Sequence, residues 1–392
     1  MTGRRVLFHV QHLLGIGHWR RAAALAEAMQ RAGLAVTVLA GGTPESSASG
    51  GDFATIQLPP ARAADAGFKT LLDTAGRPID DVFKARRRDL VLAAFARIRP
   101  HVVLIESFPF GRRAFRFELL PLIAAARQAA PRPAILASVR DVLVVRDNPT
   151  RAAEIVDTVR RDFDAVLVHG DPALIALAAS FPAAAHIADK LHYTGYVVGE
   201  PGRDDGVAGT GEVMVSAGGG AVGATLLRGA LAARPLSPLA GAPWRLLAGP
   251  HLPDADYAAL AADLAADPTA NGVTLERFRD DFPALLRRCA LSISQGGYNT
   301  TLDILAARPH AIIVPFAAAG ETEQAMRSEL LAQRGIVHLL PEAELAGPAG
   351  GKQLAAAIVN ALAASRPAAG PAIRLDGAAA AAAFIAGLQA LG

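Results

Sequence analysis

Hydrophobic residues in the first half of the chain form short, unbroken runs rich in Val, Leu and Ile. Runs without polar alternation are typical of central strands in a parallel sheet covered on both faces. The predicted strands are Val6–Val10, Ala35–Leu39, Val102–Glu106, Ala134–Val139 and Ala165–His169. The amphipathic stretches between them predict helices at Arg20–Ala32, Asp80–Arg97 and Phe115–Ala130.

The second half repeats this alternation. Its predicted strands are Glu212–Ser216, Trp244–Ala248, Val273–Glu276, Leu291–Ser294, Ala311–Val314 and Ile336–Leu339. Its predicted helices include Asp254–Ala266 and Glu323–Gln333. Strands that alternate with helices along the chain indicate the α/β class, with two doubly wound, Rossmann-like domains and right-handed crossovers.

Composition places the boundary between the two domains. Residues 198–211 are rich in Gly, Asp and Pro, which predicts a linker between an N-terminal domain (1–197) and a C-terminal domain (212–376). A second break, Arg366–Gly377, precedes a short apolar helix, Ala378–Leu391. We expect residues 377–392 to pack back across the domain boundary. A length of 392 residues agrees with two domains, since a domain holds roughly 100–200 residues.

Bulk chemistry excludes several classes of protein. The net charge is only +3, and no nucleic-acid motif is present. No apolar run reaches the roughly 18–20 residues that span a bilayer. The first apolar run is broken by His9, Gln11 and His12, which favours a strand over a signal peptide. Cys289 is the only cysteine, so we expect a buried thiol, no disulfide and a cytoplasmic protein.

The most informative stretch is Ser292–Leu305, which predicts a buried strand, a glycine turn and a helix. A helix N-terminus that follows two glycines can bind an anion through free N–H groups and the helix dipole. Asp303, further into the helix, can accept hydrogen bonds from two sugar hydroxyls; alternatively it is an ordinary exposed acid. The candidate donor-binding residues here are Gln295, Gly296, Gly297, Asn299, Thr300 and Asp303. For Asn299 and Thr300 the alternative role is helix capping.

Other loops of the second half add candidates for the same ligand. Gly218 and Gly219 follow a predicted strand and suit phosphate contact, or are simply a tight turn. Phe278 follows another strand, where it can flank a base or belong to the core. The loop after Pro315–Phe316 carries Glu321, Thr322, Glu323 and Gln324, which contact a sugar or merely begin a surface helix. Diphosphate, ribose and a second polyol together describe a nucleotide-sugar.

The first half supplies candidates for the chemical step. His18 follows Gly15 and Gly17 at a strand-to-helix turn, and imidazole, with a pKa of about 6.5, suits a general base. The alternative is a structural or capping histidine. Asp141 follows a strand and either orients His18, is itself the base, or caps the next segment. Glu106, at the end of another strand, is the third catalytic candidate.

Basic residues follow Glu106 in the segment SFPFGRRAFRF, which includes Arg112, Arg113 and Arg116. A second basic run comprises Lys84 and Arg86–Arg88. We predict an acceptor region for an anionic or amphipathic molecule at a membrane surface. The acceptor-binding candidates are Gly15, Gly17, Arg112 and Arg113. The alternative is a solvated face whose arginines pair with acids.

Four glycine-rich segments carry a resemblance to a known family. They are Gly15–Gly33, Ser216–Leu227, Ser294–Asp303 and Pro315–Gln324. In this order they resemble glycosyltransferases of the B fold, which has two Rossmann-like domains. The chain is most similar to the branch of the undecaprenyl-pyrophosphoryl-muramoylpentapeptide N-acetylglucosaminyltransferase, as a less characterised sister group. The resemblance implies that Asp303 binds ribose, where glutamate is usual, and that Gln324 holds the transferred sugar.

The resemblance implies transfer from a UDP-sugar, with an N-acetylhexosamine favoured, to an acceptor hydroxyl. We expect inversion, because direct displacement with one general base inverts the anomeric carbon, and we expect no metal, because a helix N-terminus with hydroxyl and amide donors can neutralise the leaving diphosphate. No cofactor or metal is expected, since no HExxH, paired-cysteine or DxD pattern is present. The implied partners are the UDP-sugar and an anionic or lipid-linked acceptor, with peripheral membrane contact and no nucleic acid. Two alternatives stay open: a UDP-sugar 2-epimerase, using Glu106, Asp141 and Glu323, and a non-catalytic subunit that binds nucleotide-sugars.

Overall fold

The computed structural model describes most of the chain. The described ranges are residues 3–11, 17–43, 53–64, 70–143, 148–199, 206–220, 222–267, 270–316, 323–364 and 373–388. The chain divides into two compact units. Unit 1 comprises Met1–Gly199 with Ile373–Gly392, and unit 2 comprises Glu200–Ala372.

Unit 1 is built on a parallel sheet. Its strands are β1 (Arg5–Val10), β2 (Ala35–Ala40), β3 (Ala54–Gln57), β4 (Arg62–Ala63), β5 (Leu71–Leu72), β6 (Val102–Glu106), β7 (Ala134–Arg140), β8 (Ala165–His169) and β9 (Leu191–Tyr193). Seven of these form one sheet in the order β3-β2-β1-β6-β7-β8-β9, in which every neighbouring pair is parallel. Strands β4 and β5 form a separate antiparallel pair.

Four helices connect these strands. They are α1 (Gly17–Arg31), α2 (Asp81–Ile98), α3 (Arg116–Gln128) and α4 (Pro149–Asp162). Local sequence sets their ends. The Asp80 side chain accepts a hydrogen bond from the Phe83 N–H at the start of α2, and Asn148 accepts one from Arg151 at the start of α4. Both satisfy N–H groups that the helix leaves without internal acceptors.

Unit 2 repeats the parallel architecture. Its strands are β10 (Val213–Ser216), β11 (Trp244–Leu247), β12 (Val273–Glu276), β13 (Leu291–Gln295), β14 (Ala311–Val314) and β15 (His338–Leu339). Its helices are α5 (Ala224–Ala233), α6 (Asp254–Ala266), α7 (Phe282–Arg288), α8 (Tyr298–Ala307), α9 (Glu323–Gln333), α10 (Glu342–Leu345) and α11 (Gly350–Ala363). The sheet order is β12-β11-β10-β13-β14-β15, with the strands parallel.

The last helix, α12 (Gly377–Gly387), belongs to unit 1. Ala381, Ala382 and Ile385 are buried in the same cluster as β1, β2 and α1. The Phe384 ring stacks on His192, with 4.1 Å between the ring centroids. The linker predicted at residues 198–211 lies partly outside the described residues.

Successive residues of the central strands enter two different cores. On β1, Leu7 packs with the side chains of α2, α3 and α4, whereas Val6 and Phe8 pack with α1 and α12. Both faces of the strand are therefore apolar, which explains the unbroken hydrophobic runs in the sequence. The prediction of an α/β protein with Rossmann-like parallel sheets is confirmed.

Three features of the sheets differ from the prediction. Strands β3 and β9 lie at the two edges of the large sheet, and β4–β5 is a short hairpin outside it; none of them was predicted. Residues Ala54–Gln57 are mostly exposed, so their sequence lacks the continuous apolar signal of a central strand. The predicted strand Ile336–Leu339 is shorter in the structure, where only His338 and Leu339 form a strand, β15.

His169, the last residue of β8, is fully buried in unit 1. Its Nε2 lies 2.8 Å from Ser138 Oγ and its Nδ1 lies 2.9 Å from Thr194 Oγ1. Burial and, to a smaller extent, the positive charge of Arg21 lower the pKa of His169 to about 3, against an opposing effect of Glu106. The imidazole is therefore neutral at physiological pH and acts as a structural hydrogen-bonding group.

This environment predicts a pH-dependent stability. Below pH 6.5 the unfolded chain binds a proton at His169 that the folded state excludes until about pH 3. The folded state therefore loses stability as the pH falls through this window, by about 1.4 kcal/mol per pH unit for one proton. We measure the free energy of unfolding by urea denaturation between pH 6.5 and pH 3. In His169→Gln it should fall by about 1.4 kcal/mol less per pH unit than in wild type. His186→Gln, at an exposed site, is the control; equal slopes for wild type and His169→Gln would contradict the prediction.

Candidate functional site

In unit 1 the candidate catalytic residues lie where parallel strands end. Glu106 is the last residue of β6 and Arg140 is the last residue of the neighbouring β7. His18 lies in the first turn of α1, which follows β1 on the other side of β6. The carboxyl ends of parallel strands share one edge of a sheet, which is where doubly wound proteins bind ligands.

His18 and Glu106 form a close pair. The His18 Nδ1 lies 2.5 Å from Glu106 Oε1, and the same oxygen accepts hydrogen bonds from Arg21 Nη2 (2.5 Å) and Ser107 Oγ (2.9 Å). The Glu106 side chain is only 1% exposed, whereas that of His18 is 19% exposed. An ionised carboxylate can only accept, so the proton between the pair belongs to Nδ1. This fixes the neutral tautomer with Nε2 as the basic nitrogen.

Two more guanidinium groups approach this pair. Arg140 Nη2 lies 3.0 Å from His18 Nε2, and Arg112 Nη2 lies 3.7 Å from Glu106 Oε2. Arg140 and Arg21 had no predicted role. Arg21 lies one helical turn after His18, a spacing that places both on one face of α1.

Electrostatics set the protonation states. The pKa of His18 is lowered to about 3, mainly by burial and also by Arg140 and Arg112, while Glu106 acts in the opposite direction. For Glu106, burial raises the pKa, but His18 and the arginines outweigh burial and hold the pKa well below its usual range. At neutral pH the site therefore contains a neutral imidazole held by an ionised carboxylate. This is the state from which an imidazole accepts a proton.

A second buried network anchors Arg112. Glu118 accepts two hydrogen bonds from Nε and Nη2 of Arg87, which form one edge of the guanidinium, and lies 3.0 Å from His9 Nε2. Arg87 also donates to Gln11 Oε1 at 2.8 Å, and the Gln11 carbonyl accepts from Arg112 Nε at 2.6 Å. A chain of polar contacts thus runs from Glu118 to the edge of the sheet that carries Glu106.

Asp141 has a different environment from Glu106. Its side chain is fully buried, with Oδ1 accepting from the Val142 N–H (2.8 Å) and Oδ2 accepting from the Tyr196 hydroxyl (3.1 Å). The carboxylate in contact with His18 is thus that of Glu106, whereas Asp141 Oδ1 and Oδ2 contact Val142 and Tyr196. A role for Asp141 as the base stays a prediction.

The predicted acceptor residues divide into two groups. Gly17 begins α1 and Arg112 contacts Glu106, whereas Gly15 lies outside the described residues. Arg113 and Arg116 both pair with Glu154. In the second basic run, Lys84 pairs with Asp81, and Arg87 is buried on Glu118. For these side chains the structure shows arginines and lysine paired to acids, which was the alternative interpretation.

In unit 2 the two glycine turns lie side by side. Ser216 at the end of β10 pairs in register with Ser294 of the adjacent β13, so both turns leave the sheet at the same edge. Gly218 has a φ of +72°, and a Cβ built on it would lie 3.9 Å from Thr300 Oγ1 in the first turn of α8. The backbone of one turn is therefore close to the helix N-terminus that follows the other.

The second turn requires glycine for a packing reason. A Cβ at Gly296 would lie 2.8 Å from Ser328 Oγ and 3.4 Å from Gln324 Cβ, both on α9. The start of α9 therefore packs directly on the turn that precedes α8. Gln324 Oε1 accepts a hydrogen bond from the Phe316 N–H at 3.2 Å, which ties this helix to the end of β14.

The other predicted donor-binding residues differ in how far they are buried. Thr300 and Gln295 are buried, and Gly297, Asn299 and Asp303 are half-buried. No group in the described part of the chain accepts a hydrogen bond from Gln295 Nε2, which is buried. Gly219 lies in the turn after β10, whereas Glu321 and Thr322 lie outside the described residues.

Phe278 and Glu323 are the two remaining donor-binding candidates. Phe278 follows β12 and is 43% exposed, so it is not the core residue that was considered as an alternative. Glu323 Oε1 accepts from Arg327 Nη2 at 2.9 Å, and the Arg327 guanidinium lies over the Tyr298 ring, 5.1 Å from its centroid. Arg327 thereby connects α9 to the first residue of α8. Cys289 is buried, as predicted.

Part of the chain is similar in sequence to known glycosyltransferases. Residues 255–375 match the glycosyltransferase family 28 C-terminal domain. The UDP-N-acetylglucosamine--N-acetylmuramyl-(pentapeptide) pyrophosphoryl-undecaprenol N-acetylglucosamine transferase of Chromobacterium violaceum is 33% identical over 92 residues. This match spans 24% of the chain and 26% of the length of that relative.

Solved structures resemble the whole chain. The calicheamicin glycosyltransferase CalG4 has a TM-score of 0.61 at 15% identity, over 99% of this chain and 96% of that one. MurG of Acinetobacter baumannii has a TM-score of 0.59 at 15% identity, over 98% and 100%. These similarities show the fold. The predicted resemblance to B-fold glycosyltransferases, and to the MurG branch among them, is confirmed.

Among the residues with a described structure, no helix combines the length and apolarity that a membrane span requires. Within the same residues, no three or more His, Cys, Asp or Glu side chains form a group that could hold a metal ion. The expectation of a metal-free reaction stays a prediction.

Proposed function

We propose that the protein is an inverting glycosyltransferase that uses a UDP-sugar, with an N-acetylhexosamine favoured as the transferred sugar. The observation that carries the proposal is the His18–Glu106 pair of unit 1 in a chain whose unit 2 matches a glycosyltransferase domain. Unit 2 binds the donor, and unit 1 supplies the general base.

Within unit 2, the two adjacent glycine turns supply backbone N–H groups for the diphosphate, and Asn299 and Thr300 supply side-chain donors. Anions are stabilised at such helix N-termini. Asp303, farther along α8, accepts hydrogen bonds from the ribose hydroxyls. Gln324 contacts the transferred sugar; this part of the proposal is supported by its Cβ, which would lie 3.4 Å from a Cβ built on Gly296 in the second glycine turn.

The chemical step transfers one proton and one glycosyl group. The acceptor hydroxyl gives its proton to His18 Nε2 while its oxygen attacks the anomeric carbon. The bond from that carbon to the diphosphate oxygen breaks, and UDP leaves with the electron pair. Glu106 stabilises the imidazolium that forms, because its carboxylate already accepts the Nδ1 proton. A single displacement from the opposite face inverts the anomeric carbon.

The acceptor is the second substrate of the proposed reaction. The name of the Chromobacterium relative describes an acceptor on pyrophosphoryl-undecaprenol. For this chain we propose an anionic or lipid-linked acceptor, and peripheral contact with the inner face of the membrane in the cytoplasm. Helix N-termini with amide and hydroxyl donors stabilise the leaving diphosphate without a metal ion.

A product assay tests the proposed reaction. Nucleotide-sugars are first screened by thermal shift, where a ligand at 100 times its Kd adds about 2.7 kcal/mol of stability. The stabilising UDP-sugars are then incubated with candidate acceptors, with and without EDTA. We expect a glycosylated acceptor and free UDP in both conditions. An isomerised UDP-sugar would indicate an epimerase, and binding without turnover a non-catalytic subunit. Activity lost in EDTA and restored by Mg²⁺ or Mn²⁺ would contradict the metal-free mechanism.

His18→Ala tests the general base. Removing a general base typically lowers the rate by about 10²–10⁴-fold. We expect turnover to fall by this factor while UDP affinity, measured by calorimetry, is unchanged, because His18 belongs to unit 1. Asp141→Asn is the comparison. If His18→Ala keeps its activity and Asp141→Asn loses it, Asp141 is the base.

Asp303→Ala tests the donor site. Loss of a buried hydrogen-bond partner typically costs about 1–3 kcal/mol, and we expect UDP affinity to weaken by this amount. Asp256→Ala is the matched control, because Asp256 is an acid in the first turn of α6 in the same unit. Calorimetry that shows equal UDP affinity for the two variants would remove Asp303 from the donor site.

A further inference from the structure

Both ring nitrogens of His18 are already engaged. Nδ1 donates its proton to Glu106, and Nε2 accepts a hydrogen bond from Arg140 Nη2 at 3.0 Å. A neutral imidazole has one lone pair available for hydrogen bonding, at its unprotonated nitrogen. A guanidinium group can only donate, so the Arg140 contact occupies the lone pair that would receive the acceptor proton. His18 can act as a base only after Arg140 has left Nε2.

Donors already surround the Glu106 carboxylate, although Glu106 Oε2 makes no hydrogen bond to the described residues. Glu106 Oε1 already accepts from His18, Arg21 and Ser107, and Glu106 Oε2 faces Arg112 at 3.7 Å. A guanidinium binds phosphate or carboxylate oxygens through two parallel hydrogen bonds, which are stronger than a single bond to a neutral nitrogen. An incoming anionic group therefore has the chemistry needed to draw Arg140 away.

Building on the proposed function, we propose that Arg140 binds an anionic group of the acceptor and, until that group arrives, caps Nε2 of His18. The ligand chemistry is a phosphate or a carboxylate close to the reacting hydroxyl. In this proposal the acceptor anion takes the N–H donors of Arg140 Nη2, so acceptor entry and base release are one event. Arg140 acts as a specificity-determining residue that favours anionic acceptors.

Electrostatics agree with this role. The groups that face His18 are Glu106 from β6, Arg21 from its own helix, Arg112 from the loop after β6, and Arg140 from β7. Of these, Arg140 and Arg112 lower the pKa of His18 and Glu106 raises it. Neutralising Arg140 with an acceptor anion removes one of the charges that lower the pKa, so His18 becomes a stronger base when the acceptor is in place.

The first test uses ¹⁵N NMR at neutral pH, where the Nε2 chemical shift reports whether its lone pair accepts a hydrogen bond. His18→Gln assigns the signal. In Arg140→Met the Nε2 signal should move toward the value of a free lone pair. Arg132→Met is the matched control, because Arg132 of the same unit pairs with Asp164; its signal should stay at the wild-type position. An unchanged signal in Arg140→Met would overturn the cap.

The second test adds anions to the same samples, with saturating UDP present so that the nucleotide site of unit 2 is filled. Inorganic phosphate and acetate are titrated separately. At least one of them should move the wild-type Nε2 signal in the direction of Arg140→Met, without effect on that variant, and the responding anion identifies the chemical class. If neither anion moves the wild-type signal, Arg140 is not an anion receptor.

Kinetics separate this inference from the proposed function. Once wild type transfers sugar to an anionic acceptor, Arg140→Met should raise the KM for that acceptor by about tenfold to hundredfold, the loss expected for a hydrogen bond to a charged group. For a neutral acceptor analogue KM should change little. Equal changes for both acceptors would overturn the specificity role. An absence of transfer by wild type, with the NMR responses intact, would instead overturn the proposed function alone.

Discussion

The carboxylate of Glu106 is the group on which the candidate site of unit 1 depends. It is almost fully buried at the end of a central strand, where an ionised group is stable only with close partners. His18, Arg21 and Ser107 supply those partners on one oxygen, and Arg112 faces the other. The burial that makes the carboxylate costly also lowers the pKa of the imidazole, and the carboxylate itself fixes the imidazole tautomer. Orientation, protonation state and charge at this edge of the sheet are therefore set together.

The sequence predicted the parts of the fold that depend on local physics. Central strands such as β6 and β8 have the same bounds as predicted, because burial on both faces leaves an unbroken apolar signal. Edge strands such as β3 were missed, since one exposed edge and polar side chains remove that signal. Helix α9 was predicted with correct bounds, although the loop before it lies outside the described residues.

The pairing within the site could not be predicted from local pattern. His18 and Glu106 are 88 residues apart in the chain, and only the strand order brings β6 beside β1 and the start of α1. Glu106 and Asp141 each stand at or just after the end of a strand, so the sequence alone could not decide which one meets His18. Arg140 illustrates the same limit: a residue next to a candidate gains its importance from a contact 122 residues away.

Helix α12 gives unit 1 a discontinuous core, because its apolar side chains pack with β1 and α1 although all of unit 2 comes between them in the chain. During synthesis on the ribosome, α1 therefore has an uncovered apolar face until the last helix has emerged. Every segment of unit 2 is translated before α12. Unit 2 therefore has all of its strands and helices before unit 1 has its own. The order in which the two units are completed is therefore the reverse of the order of their sheets in the chain.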